Sequence, residues 1–372
     1  MSVRLLARLA AAALVLLAAT AARADDDKVL NVYNWSDYIG KDTLDRFTRE
    51  TGIKVHYDTY SDNEILDAKL MTGQSGYDVV FPSATPFFAQ QLKAGIYRPL
   101  DLSKIPNAKG LDPQVMNSLA KVDPGNAHGL PYLMSATGLG YNVDAIKKLM
   151  PDAPVNSWRM LFDPAVVSKF KSCGVTLLDT PTEVIPAILA YLGHDPLEQT
   201  PAALQTAMKA LMPLRSNYRY LNSDKYRSDL AGGDVCLSHG YVGDLVQVRN
   251  RARESKAADR PNIAIVIPKE GAMVNIDVMA IPTDAPHPDA AYAFINFLLR
   301  PDVIADVTNQ VGYANAVPAS LQYVQPAIKS DPVIYPPADV KAHLFSALPP
   351  APPGFDRLRT RAWTRFRTAK ED

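Results

Sequence analysis

The feature that most constrains the fold is an alternation of strand-like and helix-like segments that recurs along the chain. Residues 29–33 form an apolar, β-rich run. Residues 42–50 space Leu44 and Phe47 on one helical face, and Gly52 follows as a stop. Residues 53–60 alternate with period two, placing Ile53, Val55 and Tyr57 on one side. A helix over 64–71, a buried strand over 77–81 ending in Pro82 and Ser83, and a helix over 87–93 closed by Gly95 continue the pattern. A second such region begins near Tyr132. It holds strands over 136–142, 175–178, 234–238, 263–267 and 278–281, a helix over 182–192 led by Pro181, and an amphipathic helix over 288–299. This alternation predicts an α/β layered sheet. The basic segment 355–370, with Trp363 and Phe366, is expected to be a docked amphipathic helix.

The first residues have the form of a cleavable export signal. Arg4 and Arg8 supply the positive start, residues 9–20 are apolar, and Ala22-Arg23-Ala24 fits the small-x-small cleavage pattern. The apolar run is shorter than the ~20 residues that span a bilayer. No cysteine stands near the cleavage point to carry a lipid. The leader, residues 1–24, holds three arginines and no acid, so a mature chain of 348 residues has formal charge −3. That length suits two lobes, each with its own core, and that charge gives no footprint for nucleic acid. Two cysteines remain, Cys173 and Cys236. In an oxidising compartment they read as one disulfide, with a metal site or free thiols as the alternatives. Closing that loop stabilises by about 4 kcal/mol on loop-entropy grounds.

Recognisable catalytic chemistry is absent. There is no G-x-S-x-G elbow, H-E-x-x-H helix, phosphate loop or dinucleotide fingerprint, and the six histidines do not cluster at ligand spacing. His239 near Cys236 is the one candidate nucleophile pair, and a disulfide removes its thiol. The sequence implies no metal and no cofactor. It does place acids and aromatics at strand ends, where open α/β sheets bind ligands. Trp35, Ser36, Asp37 and Tyr38 follow the first strand, and Ser83 follows the strand over 77–81. Glu183 opens a helix, Tyr241 and Asp244 follow another strand, and Asn275 and Asp277, two apart, share one strand face. An aromatic face beside a carboxylate is a receptor for an organic cation.

The dispersed motifs carry a resemblance. Asn34-Trp-Ser-Asp-Tyr38, Thr51-Gly-Ile-Lys-Val55, Asn63-Glu64, Tyr77-Asp78, Ser172-Cys-Gly174, Asp234-Val-Cys236, Ile267-Pro-Lys-Glu-Gly-Ala272, Tyr313-Ala-Asn315 and Arg361-Ala-Trp363 resemble the periplasmic polyamine-binding proteins of ABC importers. The putrescine-binding type, in bacterial extracellular solute-binding protein family 1, is the nearest. The resemblance implies a type II two-lobed binding-protein fold with a hinge and an interlobe cleft. Its lobes would be 25–134 with 270–315, and 135–269 with 316–372. It also implies the Cys173–Cys236 disulfide, an inner-membrane permease partner, a periplasmic location, a monomer and no enzymatic activity. The implied ligand set is Trp35, Ser36, Asp37, Tyr38, Ser83, Glu183, Ser223, Tyr241, Asp244, Asn275, Asp277 and Tyr313. Asp244 and Asp277 would take one ammonium of a diamine, and Ser36, Asp37 and Glu183 the other. Trp35, Tyr38, Tyr241 and Tyr313 would sheath its methylenes. Tyr241 stands where the putrescine type has tryptophan, and Asn275 where it has phenylalanine. Spermidine, cadaverine, agmatine or another organic cation therefore remain alternative ligands. A periplasmic polyamine sensor and an exported enzyme acting on a cationic metabolite are the alternative roles.

Overall fold

The computed structural model describes residues 28–254, 260–346 and 351–369. The leader expected at 1–24 lies outside the described residues. Eleven strands are present among them: β1 (Val29–Trp35), β2 (Lys54–Tyr60), β3 (Val79–Val80), β4 (Gly129–Asn142), β5 (Val175–Leu177), β6 (Tyr220–Leu221), β7 (Leu237–Tyr241), β8 (Ile263–Val266), β9 (Met273–Ala280), β10 (Ala314–Asn315) and β11 (Phe345–Ser346). The main path runs β2-β1-β3-β9-β4-β7-β5-β6, with β8 and β10 also paired to β4 and β11 to β9.

One long strand joins the two halves of this path. The first part of β4, Gly129 to Ala136, runs antiparallel to β9, with a register shift between Pro131 and Met134. From Thr137 onward it pairs with β7 and β8. Gly138 is needed there, because a Cβ at that position would lie 2.5 Å from the Val266 carbonyl oxygen. On one side of this strand, Leu30, Val32, Phe47, Val79, Phe81, Tyr132 and Phe294 form a core, and Tyr33, Leu66, Phe88 and Val278 form a second packed cluster. On the other, Leu139, Trp158, Phe170, Val175, Ile188, Leu237, Trp363 and Phe366 form a separate core. Separate cores on either side of a shared strand make two α/β lobes.

Most of the expected elements are present. The helix Thr43–Thr51 ends at Gly52, whose φ of 75° is the left-handed conformation a glycine stop supplies. Two strands fall elsewhere. The one expected over 234–238 is β7, three residues later, because Gly233 ends the preceding helix and the amides of Asp234 and Val235 both donate back to the Asp229 carbonyl. The one expected over 278–281 begins at Met273, because residues 274–276 already pair with β4. The expected strand over 77–81 is reduced to Val79–Val80. The disulfide Cys173–Cys236, with Cα atoms 5.5 Å apart, sits next to the Val175–Leu237 register pair and so fastens β5 to β7 at their starts. The helix Phe355–Thr368 docks through Phe355, Trp363 and Phe366. No helix among the described residues is long and apolar enough to cross a membrane.

Candidate ligand-binding cleft

Where β1 ends, the chain turns through Ser36, Asp37 and Tyr38, and buried side chains fix that turn. Asn34, fully buried, accepts from the Trp35 amide at 2.8 Å, and Tyr132 Oη donates to the Tyr38 carbonyl at 2.9 Å. The Phe81 carbonyl accepts from Trp35 Nε1 at 2.8 Å and from Tyr60 Oη at 2.6 Å. The indole N–H is thus committed to the protein, and the indole, packed 4.7 Å from the Tyr60 ring, lines a cleft enclosing about 100 Å³.

Three acids line the same cleft, each on a different element. Asp277, on β9, accepts from Tyr38 Oη at 2.6 Å and from Ser83 Oγ at 2.7 Å, one donor per carboxylate oxygen. An isolated bridge between Ser83 and Asp277 sets that geometry, and Asn63 Nδ2 donates to Ser83 Oγ at 3.2 Å. Burial pushes the Asp277 carboxyl up to about 6, against the opposing pull of these two hydroxyls. Asp244 lies in the first turn of the helix Val242–Glu254, where an anion is favoured. It accepts from Tyr226 and Tyr313 hydroxyls, both at 2.9 Å. Desolvation raises its pKa, and the Arg227 guanidinium works in the opposite direction. Tyr313 reaches Asp244 only because residue 243 is glycine: a Cβ there would stand 1.8 Å from Tyr313 Cε2.

Glu183 is the least satisfied of the three. It opens the helix Pro181–Tyr191 and is 5% exposed. Asn275 Nδ2 donates to its Oε1 at 3.0 Å, while Oε2 is buried with no hydrogen-bond partner among the described residues. Burial pushes this carboxyl up to about 8. A cationic nitrogen is the donor such an oxygen lacks.

Eleven of the twelve expected site residues line this one cleft. Asp37 does not. It adopts a φ of 55°, in the left-handed region, and its carboxylate faces Arg251 at 3.4 Å and Arg227 at 3.8 Å at the exposed rim. Ser223 lines the cleft while bonding the Asp179 amide at 3.1 Å and Thr180 Oγ1 at 2.8 Å. Sequence reasoning missed Tyr60, Ser135, Asp224, Arg227 and the Thr85–Phe87 wall, all of which line it. The nearest signal was the Asn63-Glu64 motif, which lines the same cleft. Nothing local marked Arg227. Because the Asp37 carboxylate is solvent-exposed and its pairs are long, Asp37→Asn is expected to change diamine affinity by less than about fivefold. Titration calorimetry checks this, and a hundredfold loss would return Asp37 to the ligand set.

Residues 42–336 match the profile of the bacterial extracellular solute-binding proteins. The chain belongs to that family. It is 48% identical over 350 residues to the putrescine-binding periplasmic protein PotF of Escherichia coli (strain K12), covering 93% of each chain. It is 39% identical to a putrescine/agmatine-binding protein of Pseudomonas aeruginosa, over 91% of this chain and 92% of that one. Among solved structures, a putative spermidine/putrescine ABC transporter protein from Listeria monocytogenes superposes with a TM-score of 0.80 at 28% identity, covering 92% of this chain and all of the other. That solved structure shares the two-lobed α/β arrangement.

Proposed function

We propose that this chain is a periplasmic solute-binding protein that captures a polyamine, putrescine first, and delivers it to an inner-membrane ABC importer. The observation that carries this reading is the trio Glu183, Asp244 and Asp277, gathered in one cleft with tyrosine and tryptophan rings. A diamine bears an ammonium at each end and an apolar stem between. The carboxylates take the ammoniums through charge-assisted bonds of about 1.5–3 kcal/mol each, and the rings cover the methylenes and add cation–π attraction. Asp244 and Asp277 serve one end. Glu183 and Ser36, which line the same cleft, serve the other.

The names of the relatives favour the same class: PotF is a putrescine-binding periplasmic protein, and another relative is a spermidine/putrescine-binding periplasmic protein. Lobes of 25–134 with 270–315 and 135–269 with 316–372 would close on the ligand about β4 and β9. The closed form would be what the permease recognises, the protein acting as a monomer exported by its leader. A binding role rather than catalysis fits the fate of the one nucleophile candidate. Cys236 is in the disulfide, and His239 is fully buried, with burial lowering its pKa to about 3.

Calorimetry and thermal melts on ligand-stripped protein, with putrescine, cadaverine, agmatine and spermidine, test the reading. Saturation at 100 times Kd is expected to stabilise by about 3 kcal/mol. No response to any of the four amines would overturn the polyamine class, and tighter binding of agmatine or spermidine would reassign the ligand within it. Asn275 gives that second outcome a basis, because it adds a polar amide to the cleft wall.

A further inference from the structure

The helix Phe355–Thr368 is fixed on one side by Phe355, Trp363 and Phe366, which are buried. Its other side carries Arg357, Arg361 and Arg365 at intervals of four. At ~1.5 Å per residue they stand in one row about 12 Å long. All three are exposed, and none pairs with a carboxylate among the described residues. The helix packs on Pro181–Tyr191, on Pro201–Leu211 and on the turn Met212–Asn217, which itself contacts Pro164–Phe170; the helix, Pro201–Leu211, the turn and Pro164–Phe170 form the outer face. These four elements together carry eight basic residues and one acid, Asp356, whose carboxylate is held by Arg359 at 2.7 Å. Lys169 and Lys209, on two of these elements, are exposed as well. Asp179, outside these elements, pairs with Arg367 at 3.1 Å, and on a chain of formal charge zero the remaining concentration is still an asymmetry of potential.

The face lacks the apolar centre of a typical protein interface. Interfaces between proteins centre on aromatic or apolar anchors. Among the described residues, the exposed large hydrophobic side chains, such as Ile65, Met71 and Tyr323, all lie on other elements. A row of guanidiniums with no apolar anchor matches a layer of phosphates, which it can grip in bidentate fashion. We propose that this face docks the protein on a membrane surface rich in anionic phospholipid. The contact is peripheral, because the apolar side of the helix is already buried in its own lobe.

Mature protein is co-sedimented with phosphatidylcholine vesicles with and without phosphatidylglycerol. Retention is expected on the anionic vesicles alone, and it is expected to fall as salt is added. Removing one surface charge lowers such partitioning by about fivefold. The triple variant Arg357→Gln, Arg361→Gln, Arg365→Gln should therefore lose at least tenfold. A charge-matched variant at exposed lysines elsewhere, Lys41→Gln, Lys54→Gln, Lys93→Gln, should lose little. Unchanged putrescine binding by the arginine variant certifies its fold. Equal retention on both vesicle types, an equal loss in the lysine variant, or preference for an acidic polypeptide over the vesicles would overturn the proposal.

Discussion

Asp277→Asn is expected to weaken putrescine binding by about 10²–10³-fold while leaving the ligand-free protein at least as stable. The substitution keeps side-chain volume and removes the charge. In the native protein both Asp277 oxygens already accept a hydroxyl, from Tyr38 and Ser83, so the carboxylate is held in place before a ligand arrives. Its remaining lone pairs are what the cleft offers to an ammonium. Removing one partner from a desolvated charge pair costs about 2–5 kcal/mol, which gives the expected loss. Stability follows the opposite logic. Burial pushes the Asp277 carboxyl up to about 6, so the ionised group is a cost to the empty protein, and a neutral amide relieves it. Calorimetry of the variant, beside its thermal melt without ligand, separates the two effects. A loss of less than tenfold, or a melt lowered as much as the affinity, would remove Asp277 from the ligand set.

The same contrast explains what could be read from the sequence. The strand and helix pattern is local, so Thr43–Thr51, Asn63–Met71 and Pro181–Tyr191 fall within a residue or two of their expected positions. The acids and aromatics of the cleft were legible because they stand at strand ends and helix starts. Their partners were not. Asn275 and Glu183 are 92 residues apart, and Tyr38 and Asp277 are 239 apart. The return of the chain into the first lobe joins Tyr38 to Asp277, and the packing of the two lobes joins Asn275 to Glu183. Asp37 reads as a ligand acid from its neighbours alone, between an indole and a tyrosine. Its positive φ turns the carboxylate toward Arg227 and Arg251 instead, and no local pattern announces that backbone choice. Arg227 was invisible for a related reason: a single arginine in a helix gives no sign that its charge will act on Asp244 of the neighbouring helix. The tyrosines changed role as well. Tyr38 and Tyr313 were expected as faces for methylenes, yet both also spend their hydroxyls on holding carboxylates.

Putrescine affinity is expected to rise about tenfold per pH unit between pH 6 and 8, then level off. In the empty protein burial pushes Glu183 up to about 8 from an ordinary 4.5. Below that pH its carboxyl is largely protonated. A cation needs the ionised form, so binding at pH 7 must expel close to one proton, and one linked proton corresponds to about 1.4 kcal/mol per pH unit. Below pH 6 Asp277 adds a second competing proton and the slope steepens. The ligand's own ammoniums, with the ~10.4 of a lysine-like amine, stay charged throughout, so the trend belongs to the protein. Stability of the empty protein runs the other way. A carboxyl whose folded pKa lies above its unfolded value binds more protons in the native state, so its contribution declines as pH rises from about 4.5 to 8. The ligand-induced melting shift should therefore widen with pH while the ligand-free melt falls. Calorimetry at pH 7 in buffers of different ionisation enthalpy reads the expelled proton directly. Glu183→Gln should abolish most of it, and should flatten the affinity profile above pH 6 at the cost of weaker binding. A profile that is flat from pH 6 to 8 in the native protein, with no proton released, would mean that Glu183 is already ionised before the ligand enters.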